Sequence, residues 1–278
     1  MEIRFWGVRG SIPSPGPDTA RTGGNTSCVE VRMGAERIVC DAGTGLRDLG
    51  RSLANSGETA RASFLLSHYH WDHIQGLPFF APLYMPGSQL EIIGSGMSSR
   101  TVQEALTHQM TAPVFPVDLC DVPARLATRE VRPGTPFEVR GAEVRAAKLN
   151  HPGGVLAYRI THGGRSVVYA TDTEHYACDD PALIALAKNA DVLIYDAQYL
   201  PSEYDARVGW GHSTYEVGAR VARAAGVGKL VLFHHDPARS DEGVDEIEAL
   251  AQKLFPDTVA AREGLVLNVA ENSAVHAA

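Results

Sequence analysis

The chain is poor in several things, and each shortage narrows what it can be. It has 4 cysteines in 278 residues, Cys28, Cys40, Cys120 and Cys178, and no two form a C-x-x-C pair. That excludes a cysteine-built zinc knuckle and argues against a disulfide framework; the expectation is a reduced cytoplasmic protein with buried thiols. No apolar run approaches the roughly 20 residues of a membrane span. The start, "MEIRFWGVRG", lacks the basic segment and apolar stretch of a signal peptide, so neither membrane nor export is expected. Positive charge is also short, with Lys+Arg 25 against Asp+Glu 33 and a net charge of -8. Basic surface supplies most of the affinity for a long polyanion, so a large nucleic acid is not the expected partner, whereas a small phosphate ester can be neutralised locally. No repeat, low-complexity tract or charge block marks a linker, and the length suits a single domain over 1–278.

What is present is an ordinary apolar fraction, 44%, enough for a core without staples. The Pro/Gly-rich "GSIPSPGPDTARTGG" reads as a long loop. Short β-rich runs follow it: "CVEVRM", "ERIVCDAG", "SFLLSH", "LEIIG", "VLAYRI", "SVVYATD", "DVLIYDA" and "KLVLFHH". Between several of them lie helical patterns, "GLRDLGRSLANSG", "SRTVQEALTHQM", "DPALIALAKNA", "STYEVGARVARAAG" and "DEGVDEIEALAQKLF". In the fourth, Ser213 or Thr214 caps the start, Val217 and Val221 share a face, and Gly226 closes the end in the left-handed conformation. Strands first, then strands and helices interleaved, predict an α/β protein of layered sheets with helices outside.

Four strand-like runs end in potential metal ligands. "SFLLS" leads into His68, His70, Asp72 and His73; "VRAAKLN" ends at His151, "SVVYAT" at Asp172, and "KLVLF" at His234 and His235. Side chains at strand ends are held by a sheet yet project into loops, so several strands can converge on one site. Desolvated histidine and aspartate need partners, and nitrogen and carboxylate donors without thiolate suit zinc, manganese or iron. Seven donors exceed the three or so that one tetrahedral metal takes from protein, but fit two divalent cations sharing a carboxylate.

"SHYHWDHIQG" resembles the H-x-H-x-D-H signature of the metallo-β-lactamase fold, and the later ligands follow in that superfamily's order along nearly the whole chain. The resemblance implies a four-layer αβ/βα sandwich with two metals between the sheets, most often Zn2+, with Mn2+ or Fe2+ as alternatives. It places His68, His70 and His151 on the first metal, Asp72, His73 and His234 on the second, and Asp172 as the bridge. Asp41 of "VCDAGTG" matches an aspartate that supports the site from behind. "GHST", a helix and "KLVLFHHD" are similar to the tRNA 3′-processing (RNase Z) and PhnP-type phosphodiesterase branch. There the histidine, here His212, faces the scissile phosphate, as a proton donor or a stabiliser of phosphoryl charge.

The segment from His151 to Asp172, 21 positions (172 − 151), leaves no room for the long tRNA-gripping arm of the tRNA enzymes. With the acidic balance, the expectation is a small phosphodiester, cyclic nucleotides included, attacked by hydroxide held between the cations with Asp72 orienting it. A thioester or lactone hydrolase of glyoxalase II or lactonase type is the alternative on the same metals, and a non-catalytic metal-binding sensor the second. Diiron chemistry is disfavoured, because such proteins usually have a glutamate where His70 stands. His234 and His235 compete for the last ligand position; the strand pattern favours His234, with His235 behind it and paired with Asp236. His108, His162 and His276 read as ordinary, and His175 as structural or at the rim. "GLPFFAPLYMPG" reads as core, homodimer contact or a wall for substrate stacking, and Arg9 as a surface residue or a phosphate ligand.

Overall fold

Two seven-stranded sheets face each other, each covered on its outer side by helices. A computed structural model describes residues 1–57, 59–96 and 100–269. His276, and Ser99 at the head of one expected helix, lie outside them. The first sheet runs β14 (Val266–Asn268), β1 (Glu2–Gly7), β2 (Cys28–Met33), β3 (Glu36–Cys40), β4 (Arg61–Leu65), β5 (Gln89–Gly94) and β6 (Arg125–Glu130). The second runs β13 (Thr258–Ala260), β12 (Lys229–Phe233), β11 (Val192–Asp196), β10 (Arg165–Ala170), β9 (Val155–His162), β8 (Ala142–Leu149) and β7 (Phe137–Val139). The helices are α1 (Leu46–Asn55), α2 (Trp71–Ile74), α3 (Val102–Gln109), α4 (Pro181–Ala187), α5 (Pro201–Tyr204), α6 (Tyr215–Ala225) and α7 (Asp241–Leu254).

The layering follows from three apolar clusters. Ile3, Phe5, Val31, Ile38 and Leu65 of the first sheet meet Tyr158, Tyr169, Ile194, Val231 and Phe233 of the second, forming the seam. Val168, Leu193 and Leu232, on the opposite face of the second sheet, pack under α4, α6 and α7 through Leu183, Val221 and Ile247. Val39, Phe64 and Ile92 do the same for the first sheet beneath α1 and α3, through Leu49 and Leu106. Central strands are buried on both faces, which is why "SFLL" and "VLIY" read as unbroken apolar runs rather than alternations. Burying a Phe233-sized side chain contributes roughly 1.5–3 kcal/mol, so many such residues fix where each strand ends.

The helix expected over 213–226 is α6. Thr214 accepts from the Val217 amide at 3.4 Å, and Gly226 takes φ 66 as the left-handed terminator. In "GLPFFAPLYMPG" Leu77, Phe80 and Leu83 are buried in the first sheet's outer core while Phe79 is exposed, so packing explains most of that loop. Of the thiols, Cys28 and Cys40 are buried, but Cys120 and Cys178 are exposed, which corrects the expectation that all four lie inside. The four edge strands, β14, β6, β13 and β7, and β1 beside the first of them escaped the sequence reading. β1 and β14 pair antiparallel across almost the whole chain, Glu2 opposite Asn268, and neither run is long enough to stand out alone. No helix among the described residues is long and apolar enough to cross a membrane.

Candidate metal centre

Strands β3 to β6 are mutually parallel, as are β10 to β13, so their C-terminal ends gather at one rim. Beyond β4 the chain bends at Ser67, and the rings of His68 and His70 lie 4.4 Å apart, centroid to centroid. The single turn α2 then points Asp72 and His73 inward, both buried, and leaves Trp71 73% exposed. His151 follows β8, Asp172 follows β10, Asp196 ends β11 and His234 follows β12. Three residues at these strand ends, Asp41 (φ 60), Asp172 (φ 51) and His234 (φ 60), have left-handed backbones. Such conformations are uncommon for residues other than glycine and persist where the surroundings impose them.

The donor atoms form contiguous groups. Those of His68, His70 and His151 lie within 4.8 Å of one another, as do those of Asp72, His73, Asp172 and His234. Asp172 faces both: its Oδ1 is 3.9 Å from Nε2 of His68 and of His151, and its Oδ2 is 3.2 Å from Nε2 of His73 and of His234. Asp72 Oδ2 lies 3.1 Å from His73 Nε2 and 3.2 Å from His234 Nε2, and accepts the Ser11 amide at 2.8 Å. The structure thus brings together all seven side chains singled out as ligands.

In four of the five histidines the ring nitrogen facing away from this cluster is occupied. His73 Nδ1 donates to Asp41 (2.7 Å) and His151 Nδ1 to the Gly211 carbonyl (2.9 Å). His234 Nδ1 lies 2.9 Å from Gln198 Oε1, and His68 Nδ1 is 3.0 Å from Ser67 Oγ. A neutral ring that donates from Nδ1 presents a bare lone pair at Nε2. His68 Nε2 and His73 Nε2 are buried with no hydrogen-bond partner, although carboxylate oxygens stand close. Buried lone pairs converging on carboxylates are costly unless a cation lies among them, so the donor set fits bound divalent metal.

Charge effects agree with that fit at the carboxylates and at His68, His70 and His151, whereas at His73 they favour the protonated ring, whose charge a bound cation would replace. Burial alone would raise Asp72 and Asp172, yet His73 and His234 hold both carboxylates well below the usual range. Burial lowers His68, His70 and His151, which favours neutral rings. For His73 burial is outweighed by Asp172, Asp72 and Asp41, which push its imidazolium well up.

His212 belongs to a different arrangement. Its Nδ1 lies 2.8 Å from Asp196 Oδ2, and although burial opposes it, Asp196 pushes the ring up to about 9. Asp196 and His212 also lie within 4.8 Å of Asp172 and His234 donors, but those two atoms are already committed to each other. Asp41 is fully buried and accepts from the Ser67 amide (2.7 Å), Ser67 Oγ (2.8 Å), Tyr169 Oη (2.7 Å) and His73.

His235 sits elsewhere: its Nε2 donates to the Ala261 carbonyl at 2.9 Å, so its ring is not paired with Asp236 as the sequence suggested. Arg9 is fully buried and donates to the carbonyls of Gly23, Asp236 and Arg239, which makes it a brace between loops. Sequence reasoning missed Asp196, Gln198, Tyr169 and Glu174. Asp196 alone carried a signal, since "VLIYD" is one more apolar strand ending in an acid. Beside His68 and His70 opens a cavity of about 380 Å³, walled by Tyr69, Trp71, Ile74, Ala105 and Val114.

Comparison with known proteins gives consistent relatives. A family model described as "Beta-lactamase superfamily domain" matches residues 36–235. The chain is 29% identical over 265 residues to the Ribonuclease Z of Mycobacterium sp. (strain KMS), covering 87% of this chain and 88% of that one. The crystal structure of human tRNase Z, short form, superposes with a TM-score of 0.71 at 19% identity, over 98% of this chain and 100% of the other. A diphosphatase from the PhnP family gives 0.70 at 18%, over 97% and 98%. At such identities the structural likeness carries the fold, the four-layer α/β sandwich that the motif implied.

One expectation is overturned. Relatives named Ribonuclease Z align along most of the chain, which contradicts the expectation that a large nucleic acid is not the partner. The net charge of -8 is a sum over the whole surface, whereas phosphate contacts depend on local charge, which cations at the rim would reverse. The segment between His151 and Asp172 is indeed filled by the β9–β10 hairpin, but its brevity excludes one kind of grip and no more.

Proposed function

From a chain that belongs to the beta-lactamase superfamily and gathers seven donors at one rim, we infer a metal-dependent hydrolase of phosphodiester bonds. The observation that carries the reading is Asp172, whose two oxygens face two separate donor groups. His68, His70 and His151 would hold one divalent cation, Asp72, His73 and His234 a second, with Asp172 shared. Zinc suits this nitrogen and carboxylate set, with manganese or iron as alternatives. When bound, such a pair activates water at neutral pH and neutralises the phosphoryl oxygens.

The chain's own residues supply the rest. Asp72 and Asp172 accept hydrogen bonds from the attacking water and aim it at phosphorus. His212, anchored through Nδ1 on Asp196, turns its other nitrogen toward the leaving oxygen, where a proton must arrive as the P–O bond breaks. The cavity beside His70 receives one substituent of the diester, and its walls exclude water from that side. The His212–Asp196 pair favours a phosphodiester over a thioester, because an alkoxide needs a proton on departure and a thiolate leaves without one. Small diesters, cyclic nucleotides among them, and RNA both lie within this reading.

The test is a parallel assay on protein of measured metal content, using bis-p-nitrophenyl phosphate, a 3′-extended tRNA and a thioester. Metal-dependent cleavage of either phosphodiester is expected. Thioester hydrolysis with both phosphodiesters left intact would overturn the assignment.

A further inference from the structure

The buried carboxylate of Glu174 has no place in the ligand set, yet it touches the loop that carries His212. Glu174 is fully buried, two residues beyond Asp172, and its backbone is fixed beside His151: its amide donates to the Asn150 carbonyl at 2.8 Å. Its Oε1 accepts from the Gly209 amide at 2.7 Å and Tyr204 Oη at 3.0 Å; its Oε2 accepts from the Gly211 amide at 2.8 Å. Gly211 then uses its other polar group, the carbonyl, to accept from His151 Nδ1 at 2.9 Å. One residue thus links a buried carboxylate, through its own peptide groups, to a ring of the cluster. The next residue is His212.

Besides Glu174 the loop is tied by the Trp210 amide to the Arg207 carbonyl at 3.0 Å and by His212 on Asp196 at 2.8 Å, and neither bond reaches the amides of Gly209 or Gly211. Val208 is 53% exposed and Trp210 63%, so the segment gains little from burial. Gly209 (φ 90) and Gly211 (φ 91) occupy a backbone region that glycine alone adopts freely, at the largest entropic cost. A side chain at 211 is also excluded, since a Cβ there would stand 2.2 Å from His151 Nδ1. Two amide bonds to a carboxylate are of the stronger, charge-assisted kind and can outweigh that cost.

We propose that Glu174 is a positioning residue, which fixes the 209–212 loop so that Gly211 sets the direction and proton position of the His151 ring and His212 is delivered to its place over Asp196. This rests on the reading of His151 as a metal ligand and His212 as a proton donor, and adds what holds both. A carbonyl can only accept, so a fixed Gly211 keeps the proton on Nδ1 and leaves Nε2 bare toward the cluster.

The experiment has two arms on the full chain. In the unmutated protein, hydrogen exchange of the Gly209 and Gly211 amides is expected to be as slow as in the neighbouring strands; exchange at open-loop rates would overturn the proposal whether or not any variant folds. In the second arm Glu174→Gln and Tyr204→Phe are compared by zinc titration against a chromogenic chelator and by kcat and KM on 2′,3′-cyclic AMP, whose leaving alkoxide needs a proton. Glu174→Gln is expected to weaken zinc binding about 10–100-fold, the usual worth of an outer partner, and to lower kcat while KM holds. Tyr204→Phe keeps both loop amides bonded and is expected to change neither quantity by more than about two-fold. Zinc affinity of Glu174→Gln equal to that of the unmutated protein, or an equal loss in Tyr204→Phe, would overturn the assignment. Absence of diester cleavage in the unmutated protein would count against the proposed function alone, because exchange and zinc titration need no turnover.

Discussion

Replacing Asp41 by asparagine separates the fold's contribution to the site from the site's own chemistry. The carboxylate takes four donors, at 2.7–2.8 Å, in a fully buried position. Asparagine has nearly the same shape, but one end becomes a donor. If that end replaces Oδ1, it meets the Ser67 amide, and two buried N–H groups oppose each other. If it replaces Oδ2, His73 must accept at Nδ1, which moves its proton to Nε2, the nitrogen facing Asp72 and Asp172. Leaving a buried donor unpaired costs about 1–3 kcal/mol, and weakening charge-assisted bonds to neutral ones costs about 1 kcal/mol more each. The first orientation loses one bond and weakens three, roughly 4–6 kcal/mol in all, on the order of 10 °C in Tm for a chain of this size. Either orientation weakens His73 as a ligand, by about 10–100-fold in metal affinity. By linkage, the metal's stabilisation of the fold shrinks by about 1.4–2.7 kcal/mol at fixed free metal. Thermal unfolding of both proteins, in chelator and in buffered zinc, measures both effects. The reasoning is refuted if the gap between loaded and stripped protein is as wide in Asp41→Asn as in the original.

Other outcomes follow from the same geometry. His212→Ala should keep its metal content and lose about 10²–10⁴-fold in turnover, the range of acid–base assistance; unchanged turnover would remove it from the mechanism. Gly10→Ala places a Cβ 2.5 Å from His234 Cε1 and Nδ1 and 2.7 Å from Gln198 Oε1, so zinc titration should show one strong site lost or weakened while the fold persists. Chelation should abolish phosphodiester hydrolysis and added zinc or manganese restore it; full activity in exhaustively stripped protein would refute metal dependence.

How much of this was legible depends on whether a residue's role is written in its own strand or in its partner's. Most ligands were legible because they close a recognisable apolar run: His68 and His70 after "SFLL", Asp172 after "VVYA", His234 after "LVLF". A strand buried on both faces must end where water begins, so a polar cluster at that point is a local signal. Asp196 obeys the same rule at the end of "VLIY" and could have been found by applying it once more. Tyr169 could not, because a tyrosine inside an apolar strand reads as core, and it is core except for the hydroxyl that crosses the seam to Asp41. The left-handed backbones of Asp41, Asp172 and His234 were equally hidden, being imposed by the packed surroundings rather than by residue preference.

Glu174 marks the limit of such reading. Its partners are the backbone amides of two glycines 35 and 37 positions away, and backbone groups leave no trace in residue identity. The only sequence trace is the pair of glycines around Trp210, which by itself means a turn. The expectation against a large nucleic acid failed for a related reason. Net charge is an additive property that ignores position, whereas the histidines and aspartates at this rim act through converging atoms. The acidic balance of the chain therefore bears on how the whole surface repels a polyanion, and the cation-holding rim on whether one phosphate of it can be bound. Measuring the salt dependence of cleavage on an RNA and on a small diester would divide the two: a steep slope for RNA alone would mean that local basic contacts outside the metal centre take part.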